Sequence, residues 1–148
     1  NIQGDEPFIN PYQISNLISL FNEENVKIAT LSKKIENYTT LTDKNKVKVF
    51  FDKENNANSF FRNYEITEEE FHKDNFYKHI GIYAFQSDIL EKITKLSPSK
   101  SEIQLNLEQL RWLDNKFKIK VGITEFESLS VDTTEDIDKI VAFHSKNA

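Results

Sequence analysis

The chain has 148 residues, of which 38% are hydrophobic and 29% charged, and its net charge is −5. This length and composition predict one folded domain with its own core and exclude a disordered chain. Cysteine is absent, which excludes disulfide scaffolds, Cys-ligated zinc and thiol catalysis. The acidic charge and the scarcity of Arg argue against nucleic-acid binding. No apolar run approaches the roughly 18 residues of a membrane-spanning helix and no signal peptide is found, which predicts a cytoplasmic protein.

The predicted elements alternate between helix and strand. Residues 1–7 resemble the end of a buried strand followed by an acidic turn, and the chain contains no Met, which indicates a processed or partial chain. Periodicity then predicts, in chain order, a helix over 11–21, a strand over 26–31, a hairpin over 46–51 and 58–62, an acidic loop or helical turn over 65–70, a strand over 79–85 and a helix over 89–96.

The longest predicted helix opens at Ser101, and it places Ile103, Leu107, Leu110 and Leu113 on one face. A strand over 118–123 follows, and a last helix begins near 133. The order of elements predicts a mixed α/β fold with antiparallel pairing in the middle.

Two isolated carboxylates, Asp5 and Asp132, come where predicted strands end. Each has a structural alternative, because Asp5 could close a turn and Asp132 could cap the following helix. As a pair they could instead meet around one Mg²⁺, which usually takes one or two protein carboxylates together with phosphate oxygens.

His79 and Tyr83 lie four residues apart in a predicted strand and therefore project to the same side. Gly81 between them leaves that face open, which suggests a sugar-binding wall. The alternative is a packed His/Tyr pair in a core or a dimer interface.

Other polar residues are weaker candidates for a functional site. Glu108, Gln109 and Arg111 lie on the polar side of a predicted helix, where charged residues usually just face water, and Trp112 is expected in a core or an interface. Arg62 follows an aromatic strand and could hold a carboxylate with two hydrogen bonds.

In their order and spacing, several segments closely resemble the 3-deoxy-manno-octulosonate (Kdo) cytidylyltransferases, or CMP-Kdo synthetases. These segments are 3–7 (Gln-Gly-Asp-Glu-Pro), 45–49 (Asn-Lys-Val-Lys-Val), 79–85 (His-Ile-Gly-Ile-Tyr-Ala-Phe), 107–111 (Leu-Glu-Gln-Leu-Arg) and 131–136 (Val-Asp-Thr-Thr-Glu-Asp). The resemblance covers essentially the whole chain.

The resemblance implies a nucleotidyltransferase-like α/β fold, a mixed sheet with helices on both faces. Residues 1–148 would form a single, partial domain, and about 46–85 would be an inserted antiparallel dimerisation region of a homodimer. The family's first βα units, which hold the CTP phosphates, are not in this sequence. At about 30 residues per unit, roughly 90 residues would be missing.

The resemblance also implies the reaction and the residues that serve it. CMP would pass from CTP to Kdo, giving CMP-Kdo and pyrophosphate for lipopolysaccharide synthesis. Asp5 and Asp132 would be the catalytic Mg²⁺ ligands. The sugar acid would be bound by Gln3, Arg62, His79, Tyr83, Glu108 and Gln109.

Some positions depart from the family pattern. Leu105 replaces a common acid, residues 126–130 lack glycines that often precede the Val-Asp-Thr segment, and no Ile-Pro follows Arg62. These differences leave two alternatives open: a cytidylyltransferase for a related sugar acid such as 8-amino-Kdo, and a dimerising, sugar-binding fragment without catalysis.

Overall fold

The computed structural model describes residues 1–4 and 9–126, together with Val131, Ile137 and Val141. The helices in this part are α1 (Pro11–Ser19), α2 (Tyr38–Thr42), α3 (Glu68–Phe71), α4 (Ser87–Ile93), α5 (Lys100–Leu105) and α6 (Gln109–Asp114), and a 3₁₀ turn, Leu20–Asn22, extends α1. The strands are β1 (Ile28–Lys34), β2 (Lys48–Phe51), β3 (Ala57–Phe61), β4 (Tyr77–Phe85) and β5 (Lys120–Ile123).

The strands form one open sheet in the order β3-β2-β4-β1-β5. Only β1 and β5 are parallel, and the other neighbours are antiparallel. The predicted mixed α/β class and the predicted hairpin are therefore confirmed. The predicted insertion, 46–85, contains β2, β3 and β4, which continue the same sheet, and its dimerisation role stays a prediction.

Helices cover both faces of the sheet, as predicted. On one face, Ile28 and Val121 pack with residues of α4 and α6, including Ile93 and Leu110. On the other, Leu31 and its neighbours pack against α1 and the 3₁₀ turn. The first part of β1 is buried from both sides and is mainly apolar, which explains why residues 26–31 were recognisable as a strand.

The predicted long helix opened by Ser101 is wrong. Two short helices replace it, because Asn106 adopts the left-handed conformation with φ 53° and ends α5. The N-terminal cap is Ser99, whose side chain accepts from the backbone of Glu102. Ile103 is consequently 71% exposed, whereas Leu107 and Leu110 are buried in the core. The spacing of apolar residues was helical, but Asn tolerates the left-handed conformation that interrupts a helix.

A left-handed residue also follows α6, and it yields a stability prediction. Lys116 is exposed and has φ 66°. Lys116→Gly should raise the free energy of unfolding by about 0.5–1 kcal/mol, because glycine adopts positive φ without the steric cost of a Cβ. Urea denaturation measures this change. Lys118→Gly is the matched control, since Lys118 is exposed without a positive φ, and it should destabilise the fold. Equal effects of both changes would contradict the explanation.

Candidate active site

A cavity of about 340 Å³ lies where β2 and β4 separate. The two strands are paired at Lys48 and Lys78, and His79 N donates to Val47 O at 2.8 Å. Further along β4, Tyr83 N donates instead to Asn1 O at 3.0 Å. The segment between these two contacts is open on its β2 side, and α5 and α6 supply a further wall of the cavity.

The structure brings together all the predicted sugar-binding residues that it describes. Around this one cavity lie Gln3, Arg62, His79, Tyr83, Glu108 and Gln109. They come from four separate parts of the chain, so their convergence is a property of the fold. The predicted metal ligands, Asp5 and Asp132, lie outside the described residues.

Sequence reasoning missed other residues of the cavity wall, among them Asn45, Lys46, Lys78, Glu102 and Asn106. Asn45 and Lys46 belong to a segment that carried the family resemblance, and Lys78 directly precedes His79, so position in a motif was the available signal. Trp112 was expected in a core or an interface. It is buried edge-on against Tyr83, at 5.0 Å between ring centroids, and it also lines the cavity.

A β-bulge in β4 shapes the cavity wall. Thr30 of β1 pairs with Tyr83, but the next residue, Leu31, pairs with Ile80, which leaves Gly81 and Ile82 as extra residues. A bulge bends its strand and redirects side chains. The rings of His79 and Tyr83 are consequently 5.4 Å apart, although four residues of regular strand span about 13 Å.

The Thr30 hydroxyl holds the bulge together. It is fully buried, and its Oγ1 donates to Ile82 O at 2.8 Å, with Ile80 O also within reach at 3.2 Å. His79 Nε2 lies 2.9 Å from the same oxygen. Because the single hydroxyl hydrogen goes to a carbonyl, we assign the Nε2–H tautomer to His79 from this network, which leaves Nδ1 as an acceptor.

His79 is neutral in this environment. Its ring packs edge-on against Phe60, with centroids 5.1 Å apart, and burial lowers the pKa of the imidazole to about 3. At neutral pH His79 can therefore recognise a ligand through hydrogen bonding and shape, but not through charge.

Tyr83 carries an orphaned polar atom. The residue is 5% exposed, and its Oη has no hydrogen-bond partner among the described residues. Burial raises the pKa of the phenol well above its usual value, and the Glu108 carboxylate adds to the shift. The Thr30 hydroxyl opposes the shift, but it donates its hydrogen to Ile82 O and accepts from His79 Nε2. An unpaired buried hydroxyl costs about 1–3 kcal/mol, so a ligand that accepted its hydrogen would recover that energy.

An ion pair fixes the helical wall. Arg111 of α6 donates from Nε to Glu102 Oε2 of α5 at 2.7 Å and from Nη2 to Oε1 at 2.5 Å. The Arg111 hydrogen bonds lower the pKa of Glu102, so both partners are charged at neutral pH. This two-pronged contact joins the helices on either side of Asn106 and sets the position of Glu108 and Gln109, which open α6.

The cavity presents charges of both signs. Arg62, Lys46 and Lys78 contribute positive side chains, while Glu102 and Glu108 contribute negative ones. Arg62 Nη1 makes a long contact of 3.4 Å with Asn45 O, and no described carboxylate forms an ion pair with it. A partly exposed guanidinium of this kind can hold a ligand carboxylate.

The described residues contain no cluster of three or more His, Asp or Glu side chains that could hold a metal ion. The role of Asp5 and Asp132 as Mg²⁺ ligands stays a prediction, because both residues lie outside the described part of the chain. Within the described part of the chain, no helix combines the length and the apolar character needed to cross a membrane.

Several known proteins with similar sequences carry the name 3-deoxy-manno-octulosonate cytidylyltransferase. The chain is 44% identical to a 3-deoxy-manno-octulosonate cytidylyltransferase of Parabacteroides distasonis, in an alignment covering 97% of this chain and 61% of the relative. It is 45% identical to the protein of that name from Thermodesulfovibrio yellowstonii, over 93% of this chain and 56% of the relative. The chain thus spans about 60% of the length of the curated relatives it matches.

Solved structures support the same relationship. A CMP:2-keto-3-deoxy-manno-octonic acid synthetase complexed with CTP superposes with a TM-score of 0.90 at 28% identity, and the match covers 100% of this chain and 61% of that one. A putative glucose-1-phosphate thymidylyltransferase from Bacillus anthracis, at 15% identity and a TM-score of 0.57, shares the fold. The cytidylyltransferase family matches residues 1–120. The chain therefore belongs to the cytidylyltransferase family.

Proposed function

We propose that the full-length protein transfers CMP from CTP to Kdo, giving CMP-Kdo and pyrophosphate. The observation that carries this proposal is the orphaned Tyr83 hydroxyl in a polar cavity that also contains an Arg62 guanidinium without a described acidic partner. A sugar acid offers a carboxylate for the guanidinium and hydroxyl groups for the remaining polar side chains. The names of the relatives with 36–45% identity supply the nucleotide and the sugar acid.

The residues of the cavity would bind and orient the sugar acid. Arg62 would hold its carboxylate, while Tyr83 and the neutral His79 would hydrogen-bond its hydroxyl groups. Glu108 and Gln109 add further acceptors and donors from α6. The anomeric hydroxyl gives up its proton to solvent as its oxygen forms a bond to the α-phosphorus of CTP, and the bond from that phosphorus to pyrophosphate breaks. Orientation and charge neutralisation suffice for this reaction, so no protein nucleophile is required.

Mg²⁺ is part of the proposal, with Asp5 and Asp132 as its protein ligands. The ion would neutralise charge on the phosphates of CTP. The argument rests on the oxygen chemistry of the two carboxylates and on the family resemblance of the segments that contain them.

The proposal includes a homodimer in the cytoplasm, where the nucleoside triphosphate pool is found. Strand β3 supports the dimer, because it is an edge of the described sheet. The N–H of Ala57, at its start, donates to Ile119 O at 2.8 Å, so the part of the edge beyond Ala57 is the part that could pair with another chain. The edge lies within the predicted dimerisation region, 46–85.

The full-length protein should release pyrophosphate from CTP only when Kdo and Mg²⁺ are both present. A coupled pyrophosphate assay with each component omitted in turn measures this dependence. Parallel reactions with 8-amino-Kdo test the choice of sugar acid. Equal or better turnover of the amino analogue would overturn Kdo as the preferred substrate, and release without any sugar acid would contradict the transfer reaction.

Tyr83→Phe should raise the KM for Kdo about tenfold, because one hydrogen bond to the ligand is lost. The melting temperature should stay unchanged or rise, since the change removes a hydroxyl that has no described partner. Tyr77→Phe is the matched control: Tyr77 lies on the same strand and packs against Phe51, with 4.8 Å between ring centroids, outside the cavity wall. Its KM should match that of the wild type. A Tyr83→Phe variant with wild-type KM and lower stability would assign the hydroxyl a structural role.

Asp132→Asn in the full-length protein should lower kcat by several orders of magnitude, because it keeps the shape of the side chain but removes a metal-binding charge. Steady-state rates over a range of Mg²⁺ concentrations measure the change, and size-exclusion chromatography checks that the oligomeric state is retained. Asp88→Asn removes an exposed carboxylate on α4 and should leave the rate unchanged. Near-normal activity of Asp132→Asn would indicate that Asp132 is only a helix cap.

A further inference from the structure

Lys48 is a fully buried lysine that does not line the cavity. It is 1% exposed and belongs to β2. Its Nζ donates to Asp43 O at 2.6 Å, Lys46 O at 2.7 Å and Arg62 O at 2.6 Å. An ammonium group has three N–H donors, so all three are used. No carboxylate oxygen is among these acceptors, and the charge is held by main-chain carbonyl groups.

These carbonyl groups belong to two separate segments of the cavity wall. Residues 43–46 connect α2 to β2, and Arg62 follows β3 directly. The segment 43–46 is further folded on itself, since Asn45 N donates to the Asp43 carboxylate at 2.9 Å. The Lys48 ammonium therefore ties the main chain of Arg62 to the main chain of the loop that contributes Asn45 and Lys46 to the wall.

We propose that Lys48 is a positioning residue for the sugar-acid site, which acts by fixing the main chain from which the Arg62 guanidinium reaches the ligand. The inference rests on the proposed function. Lys48 does not touch the ligand in this scheme. Its effect passes through Arg62 and the 43–46 loop. Changing Lys48 should therefore alter the affinity for the sugar acid more than it alters kcat or the affinity for CTP.

The charge state of Lys48 makes this arrangement sensitive to pH. Burial lowers the pKa of Lys48 to about 8. The Asp43 carboxylate opposes this shift, and the positive charge of Arg62 adds a smaller lowering. The other charged side chains around it are Lys46 in the same loop and Lys78, its cross-strand partner on β4. Below pH 8 the ammonium donates to all three carbonyl groups. Above pH 8 the neutral amine has only two N–H donors, and its lone pair faces the third carbonyl, so the link between Arg62 and the 43–46 loop weakens.

The first test compares the pH dependence of the KM for Kdo in the full-length wild type and in Lys48→Arg. The wild-type KM should rise about tenfold between pH 7 and pH 9.5, with smaller changes in kcat and in the KM for CTP. Lys48→Arg, which stays charged throughout, should lack this rise. The same rise in both proteins, or in neither, would overturn the proposal.

The second test removes the donors. Lys48→Met should raise the KM for Kdo by at least tenfold at pH 7 while kcat changes less than threefold. Lys44→Met is the matched control, because it removes one exposed positive charge from the same loop and should leave the KM unchanged. Equal effects of the two variants would reduce the role of Lys48 to bulk charge and overturn the proposal.

A third measurement needs neither a variant nor activity. Hydrogen exchange of the wild type, corrected for the intrinsic effect of pH, should show lower protection of the amides in 43–46 and 62–64 at pH 9.5 than at pH 7, with the β1 and β4 amides unchanged. Unchanged protection in both segments would count against Lys48 even if Lys48→Met fails to fold. A wild type that makes no CMP-sugar contradicts the proposed function instead, while hydrogen exchange still decides whether Lys48 fixes the loop.

Discussion

The cavity depends on one buried hydroxyl group. Thr30 lies in the middle of β1 and bonds to carbonyl groups of the bulged segment of β4 and to the imidazole of His79. Without the bulge, β4 would continue in regular register and its alternating side chains would point along the strand at even spacing. The two extra residues bend β4 and bring His79 and Tyr83 into contact. They lie at the place where β2 separates from β4. A cavity thus forms within a sheet that is otherwise continuous.

The strands could be predicted from the sequence, and so could the side of the sheet on which His79 and Tyr83 lie, because both depend on local periodicity. The spacing of His79 and Tyr83 placed them on one side of a strand, and the aromatic run before Arg62 placed that residue at a strand end. The bulge escaped prediction, since it is defined by the register between β4 and β1, which pairs residues about 50 positions apart. Nothing in the local sequence distinguishes Thr30 from other strand residues, because its hydrogen bonds are made to the neighbouring strand β4.

The wrong prediction of a single helix from Ser101 has a different cause. Apolar residues at helical spacing predicted a single helix from Ser101, and most of that segment is indeed helical. What ends α5 is the left-handed backbone of Asn106, a conformation that Asn tolerates but does not require. The break matters for the site, because it turns α6 so that Glu108 and Gln109 begin a new helix at the cavity wall. A continuous helix would have placed these two residues in its middle instead.

Buried polar groups around the cavity fall into two kinds, and the difference bears on their roles. Lys48 donates to main-chain carbonyl groups, and Arg111 donates to the Glu102 carboxylate. These groups are hydrogen-bonded within the protein, so they hold neighbouring segments in place. Tyr83 is also buried, but its hydroxyl group is unpaired among the described residues. Folding alone does not recover the desolvation energy of that hydroxyl, whereas a ligand that accepts its hydrogen does. The satisfied groups therefore set the shape of the cavity, and the unsatisfied one supplies a reason for a polar ligand to bind there.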